Sequence, residues 1–316
     1  GNEEDLNNLV QDILKRRQNA KLDKQQILWN GLVNYAQYGS KSPFTNILSK
    51  EALQGMRSEK LLDIIKRLKS YEHTVMYYGP AEIASVNGWL TALHTTPDVL
   101  SKVPVAADFT QIESERIVYW VNYDMVQAEI VFLSKSEPYN AAKVPVATMF
   151  NEYFGGDMSS VVFQEIRESK ALAYSSFGSY RMARDKRQSN FVLAYMGTQA
   201  DKLPDAMRAM QQILNELPEN EGSFESARTS IINKLRTERI TYLNAQKLGL
   251  EHDIRKDIYN QTSKMNFSHI RQFHQEYIKD KNFVICVLGS KDKLDFKSLA
   301  EYGTLKELSL SDVFGY

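Results

Sequence analysis

The stretch that most constrains the fold runs from Met149 to Tyr180, MFNEYFGGDMSSVVFQEIRESKALAYSSFGSY. Val144, Val146, Met149 and Phe150 recur at helical spacing before the adjacent glycines Gly155 and Gly156, and Met158, Val161, Val162 and Ile166 form a stripe after them. Glycines at the break remove the side chains where two helices would approach closely. Ser169-Lys170-Ala171 then turns the chain into an alternating run, with Leu172, Tyr174 and Ser176 on one face and Ala173, Ser175 and Phe177 on the other. The pattern spells helix, glycine break, helix, tight turn, strand. Arg167 closes the second helix and Tyr174 opens the strand, a corner that can bring a guanidinium and a phenol to one rim, where both could donate to one anion. Each also has a plain structural explanation: the helix dipole favours Arg at a C-terminus, and a strand Tyr commonly buries its ring and hydrogen-bonds its hydroxyl.

The flanking elements suggest a fold class. Strands are expected over 116–123 and 126–133, joined as a hairpin with Ala128, Ile130 and Phe132 on a core face. A strand over 191–196 and a helix over 203–217, ended by Pro218, follow the central segment. A long amphipathic helical stretch over 224–259, a short helix over 268–278, a strand over 283–288 and a helix over 293–299 complete the chain. That order predicts α+β architecture, a mostly antiparallel sheet with helices packed on one face.

The first hundred residues repeat the ending of this pattern. Residues 6–38 read as helical, Ser49 can cap a short helix, another helix covers 58–68, and an alternating strand over 74–78 ends at Gly79-Pro80 before a helix over 81–93. Aligning Gly79 with Gly289 superposes the two orders and suggests a duplicated domain whose first copy is incomplete. The expected division is 1–96 as the helical end of a preceding, truncated domain, 97–112 as a proline-bearing linker and 113–316 as a complete domain.

Charge excludes one class of partner. With 39 basic and 39 acidic residues the chain lacks the basic excess that phosphate backbones require, so nucleic acid is not an expected partner. No apolar run approaches the length of about 20 residues that a membrane-spanning helix needs. The lone Cys286 lies in an apolar run and reads as a buried strand residue; one cysteine allows no internal disulfide. Compartment stays open, the bacterial periplasm and the cytoplasm both fitting.

Gly155-Gly156, Arg167-Glu168 and Leu172-Ala173-Tyr174 together resemble the C-terminal, non-catalytic half of the insulinase and pitrilysin-like zinc metallopeptidases. The resemblance implies that Arg167 and Tyr174 reach from this half toward peptide substrate held at the zinc of the other. Members of that family often have Gly just before the Leu-Ala-Tyr; Ala171 stands there here, so a turn needing positive φ is strained or differently shaped. The family's zinc motif is His-x-x-Glu-His, and none of the five histidines, His73, His94, His252, His269 and His274, is followed by it. No metal or other cofactor is therefore expected in this chain, and zinc is expected in a catalytic half, upstream in the same polypeptide or in another subunit. On that reading the chain is no enzyme alone but part of a zinc metalloendopeptidase when joined to its partner. The alternative is a peptidase-fold scaffold that binds partners without catalysis. Two weaker features remain: Gly289 to Lys293 lacks the spacing of a phosphate loop, and the basic run Arg181 to Arg187 reads as a solvated hairpin tip or a chamber wall favouring acidic peptides.

Overall fold

The computed structural model describes residues 1–156, 158–235 and 242–316. They form two compact units, 1–19 with 47–108 and 20–46 with 109–316. The proline-bearing stretch 97–112 is thus shared between them, and residues 20–46 lie with the second unit.

In the first unit, Leu6 and Val10 of the helix Glu3–Ala20 bury against Leu53, with Ile13, Leu14, Met56 and Leu61 around them. Ser49 caps the helix Lys50–Gln54 by accepting from the Ala52 amide. The helices Ser58–Arg67 and Ile83–Leu93 follow. Residues 74–78 do not form the expected strand: among the described residues the stretch has no ladder partner, and the nearby pairing is one isolated bridge from Tyr71 to Ser101. Alternation makes a strand only where a neighbour supplies the other half of the ladder.

The second unit holds one six-stranded sheet. Its strands are β1 (Ile117–Asn122), β2 (Gln127–Pro138), β3 (Ser175–Arg181), β4 (Ser189–Gln199), β5 (Val284–Gly289) and β6 (Thr304–Glu307), in the spatial order β3-β4-β2-β5-β1-β6. β3, β4, β2 and β5 pair antiparallel in succession; β1 runs parallel to both β5 and β6. The expected hairpin of β1 with β2 is therefore not formed, because β5 inserts between them. Every residue of β5 is buried, and a strand apolar on both faces needs neighbours on both sides and cover above and below.

Most helices lie on one face of the sheet. There Val118, Ile130, Phe132, Val192 and Ala194 share a core with the helices Val144–Asn151, Leu203–Asn215, Glu221–Leu235, Ile254–Thr262 and Phe267–Tyr277. The opposite face carries Tyr119, Val121, Val131, Leu133, Tyr195 and Cys286, covered by Ile27, Leu28, Leu32 and Val33 of the helical stretch 26–38 and by Val313 and Phe314. Burial pushes the Cys286 thiol far up, so it stays protonated. The helix expected over 6–38 is broken at Lys21-Leu22, where Asp23 restarts it by accepting from the amides of Gln25 and Gln26 at 2.8 and 3.2 Å. In the long stretch expected over 224–259, the described residues hold the helices Glu221–Leu235, Tyr242–Leu248 and Ile254–Thr262, with a break between the last two. Gly249 at φ +67° and the Asp253 cap make that break, while residues 236–241 lie outside the described residues.

The glycine break serves a different contact from the one expected. A Cβ on Gly155 would stand 2.1 Å from the carbonyl oxygen of Gly178 in β3, so the glycine admits a helical turn against a strand rather than against another helix. Asn151, one turn earlier, donates to the Tyr180 carbonyl at 2.9 Å and accepts from the Tyr180 amide at 2.6 Å. That amide side chain thereby satisfies backbone groups on the outer edge of β3.

Candidate functional site

The site grows from the turn between the helix Phe163–Ser169 and β3. Ala171 adopts φ +48°, the left-handed conformation that the missing Gly would have taken without strain. Two contacts hold it there: Leu172 N donates to Ile166 O at 3.0 Å, and Lys202 Nζ to Ala171 O at 3.1 Å. Thr198 Oγ1 donates to Leu172 O at 2.6 Å, and Tyr174 N to Gly197 O at 3.1 Å, which docks the segment along β4.

β3 begins at Ser175, so Tyr174 precedes the regular strand and escapes its alternation. The expectation that Tyr174 shares a face with Ser176 is not met: its hydroxyl lies on the face of Tyr195. Gly197 makes this possible, since a Cβ there would come within 2.6 Å of the Tyr174 hydroxyl oxygen. The phenol crosses this bare position of β4 and donates to Glu129 Oε1 on β2 at 2.7 Å. Glu129 has a wholly buried side chain (0 % exposed) and also accepts from Lys24 Nζ at 2.7 Å and Tyr195 Oη at 2.5 Å. Lys24 Nζ stands 3.5 Å from the Tyr174 hydroxyl.

Electrostatics follow from this cluster. The hydrogen bond to Glu129 raises the Lys24 ammonium above its ordinary range, partly opposed by desolvation. Burial first, and then the bond to Glu129, raises both Tyr174 and Tyr195, the latter strongly. Both phenols remain neutral donors whose protons are directed at the buried carboxylate.

Arg167 stands at the other side of the turn with its side chain 47 % exposed. Its guanidinium lies 4.8 Å over the Phe163 ring, and Nε is 3.6 Å from Glu168 Oε1. Arg167 and Tyr174 line one pocket of about 250 Å³, together with Gln127, Ala171, Leu172, Ala173, Gln199 and Lys202. Sequence reading did not single out Lys24, Glu129, Tyr195 or Lys202. The available signal was Glu129 itself, a carboxylate within the apolar run of β2 on the same face as Val131 and Leu133.

The histidines are scattered. His73 and His94, 21 residues apart, meet with their Nε2 atoms 2.7 Å apart, His73 Nδ1 lying 2.6 Å from the Tyr71 carbonyl. His252 contacts Asp257, His269 caps the helix Phe267–Tyr277, and buried His274 contacts the Leu214 carbonyl at 2.9 Å. Among the described residues no three His, Cys, Asp or Glu side chains are grouped to hold a metal ion. A catalytic zinc takes three protein ligands, so the described donor set does not fit one. No helix among them is long and apolar enough to cross a membrane.

Fold and pocket define a class: an α+β domain that presents cationic and amide groups around a strained turn and, among the described residues, no metal-binding cluster. Residues 93–231 match the family described as the Peptidase M16 inactive domain. The chain is similar to this family over that segment, which is less than half of its length. It is similar to an uncharacterized zinc protease, YmxG, of Bacillus subtilis, with 36 % identity over 69 residues, 22 % of this chain and 16 % of that protein's length. The peptidase M16 inactive domain of Pseudomonas fluorescens shares the fold at a TM-score of 0.66 and 12 % identity, over 92 % of this chain and 71 % of that one. The ferredoxin protease FusC, solved in complex with Arabidopsis ferredoxin, is similar at a TM-score of 0.65 and 11 % identity, over 92 % of this chain and 32 % of FusC.

Proposed function

We propose that this chain is the non-catalytic, substrate-binding half of a zinc metallopeptidase and lends Arg167 and Tyr174 to peptide-bond hydrolysis in a site completed by a catalytic half. The observation that carries the reading is the common pocket of Arg167 and Tyr174, which has no carboxylate among the described residues lining it. Zinc and the general base would come from the catalytic half, upstream in the same polypeptide or in another subunit. The division 1–96, 97–112 and 113–316 belongs to the same proposal, with residues 20–46 grouped with the second unit. FusC's capture of a protein makes a polypeptide the natural substrate class.

The contribution of this half is electrostatic. As water adds to a peptide carbonyl, negative charge develops on the oxygen, and fixed donors aimed at it stabilise the transition state more than the ground state. Arg167 supplies such a donor directly. Tyr174 has one proton, now given to Glu129; turning it toward substrate leaves Glu129 with Lys24 and Tyr195, two of its three partners. Each donor of this kind contributes about 10²-fold to 10³-fold in kcat.

A second reading, a scaffold without catalysis, is favoured by the same inward commitment of the Tyr174 proton. Kinetics of the complete enzyme separate the two. Arg167→Ala and Tyr174→Phe are expected to lower kcat by about 10²-fold with folding intact. Unchanged peptidase kinetics in both variants would refute the assisting role.

A further inference from the structure

The charges around the Arg167 pocket are one-sided in a chain whose formal net charge is zero. Of its eight lining residues the charged ones are Arg167 and Lys202. Gln127 and Gln199, directly paired across β2 and β4, add two amides to the wall, and Ala171, Leu172 and Ala173 add carbon surface. The carboxylates nearby do not cancel this field. Glu129 is buried under Lys24, Tyr174 and Tyr195, which spend themselves on it. Glu165 pairs with Lys170 at 3.9 Å, and Glu168 approaches only the Nε edge of Arg167, beyond hydrogen-bond distance at 3.6 Å. Lys202 Nζ is anchored by one hydrogen bond to the Ala171 carbonyl, and an ammonium has three donors, leaving two. The volume, about 250 Å³, admits a carboxylate with several of its waters at roughly 30 Å³ each.

We propose that this pocket is a specificity subsite for a carboxylate of the bound peptide, with Lys202 as the specificity-determining residue beside Arg167. The proposal rests on the reading that the pocket faces substrate. An acidic side chain and a C-terminal carboxylate share the recognising chemistry, a planar oxygen pair between a guanidinium fork and an ammonium.

The test is binding of fluorescent peptides to the 316-residue chain by anisotropy at low and moderate salt. The peptides share one sequence and differ only in Glu or Gln at an internal position, and in a free or amidated C-terminus. An acidic form is expected to bind about tenfold more tightly than its neutral counterpart, less so as salt rises, and the arm that carries the preference identifies the carboxylate used. Lys202→Gln is expected to reduce that ratio to about twofold, and Lys202→Arg to restore most of it. Equal binding of all forms, no binding of any form, or a preference unchanged by Lys202→Gln overturns the subsite. Its failure is distinguishable from that of the functional reading. Lost turnover in Tyr174→Phe without acid preference removes the subsite and keeps the reading. Acid preference with unchanged turnover in Arg167→Ala and Tyr174→Phe removes the reading and keeps the subsite.

Discussion

Replacing Glu129 tests the physical basis of the site apart from any partner. Its carboxylate is wholly buried and accepts from Lys24 Nζ, Tyr174 Oη and Tyr195 Oη at 2.7, 2.7 and 2.5 Å. Glu129→Ala removes every acceptor at once. Tyr195 is then a buried hydroxyl without its partner, while Lys24 and Tyr174 can turn toward water. Breaking a buried charged pair costs about 3–5 kcal/mol, and the solvent access of Lys24 puts the expected loss near 3 kcal/mol. Glu129→Gln keeps the shape and one carbonyl acceptor, and is expected to cost about 1–2 kcal/mol. Trp29 packs 5.4 Å from the Tyr195 ring, so its fluorescence during urea unfolding reports on this layer. The pH dependence has a definite sign. Lys24, Tyr174 and Tyr195 all hold their protons more tightly folded than unfolded, from ordinary values of 10.5 for Lys and 10.0 for Tyr. Their stabilisation is complete below about pH 10 and is lost as pH rises through the raised folded values. Glu129→Gln is expected to flatten that alkaline loss. A Glu129→Ala variant within about 1 kcal/mol of the parent, or an unaltered alkaline slope in Glu129→Gln, would refute the network.

Other consequences follow from single positions. Ala171→Gly relieves the φ +48° strain, and after the added freedom of the unfolded glycine it is expected to stabilise by about 0.5–1 kcal/mol in urea unfolding. Gly197→Ala sets a methyl in the path of the Tyr174 phenol and is expected to expel it from Glu129, so that absorbance titration near 295 nm shows one more tyrosine ionising near its ordinary pKa. His274 is held below its ordinary 6.5, chiefly by burial, so its stabilisation is present above pH 6.5 and is lost as pH falls through the depressed value. His274→Gln is expected to flatten that acid limb in thermal unfolding measured from pH 7 to 5.

The central segment was legible because its constraints are local. Two glycines, a helical stripe and a β-alternating run lie within about thirty residues, and they specify helix, turn and strand without reference to the rest of the chain. Pairing was not legible in the same way. β1 and β2 are close in sequence and look like a hairpin, yet the wholly buried β5 enters between them from more than 140 residues downstream. The second layer was hidden for a related reason. Val131 and Leu133 alternate with Ile130 and Phe132, so both faces of β2 are apolar, and taking one face as the core left the cover provided by 26–38 unassigned. Glu129 belongs to that overlooked face. Arg167 and Tyr174 could be singled out from their motif, but the commitment of Tyr174 to Glu129 depends on the bare Gly197 of a strand over twenty residues away. Ala171 marks the opposite case: the missing Gly left a strained or a differently shaped turn open, and the left-handed φ of +48° is the strained one.

The central claim is that this half binds and assists while the metal resides in a partner half. Peptide hydrolysis with zinc supplied, together with the zinc content of each species, tests it most directly, for this chain alone and for the chain joined to a catalytic half. The account predicts zinc and cleavage only in the joined form. Stoichiometric zinc and cleavage by the chain alone, or neither property in the joined form, would contradict it.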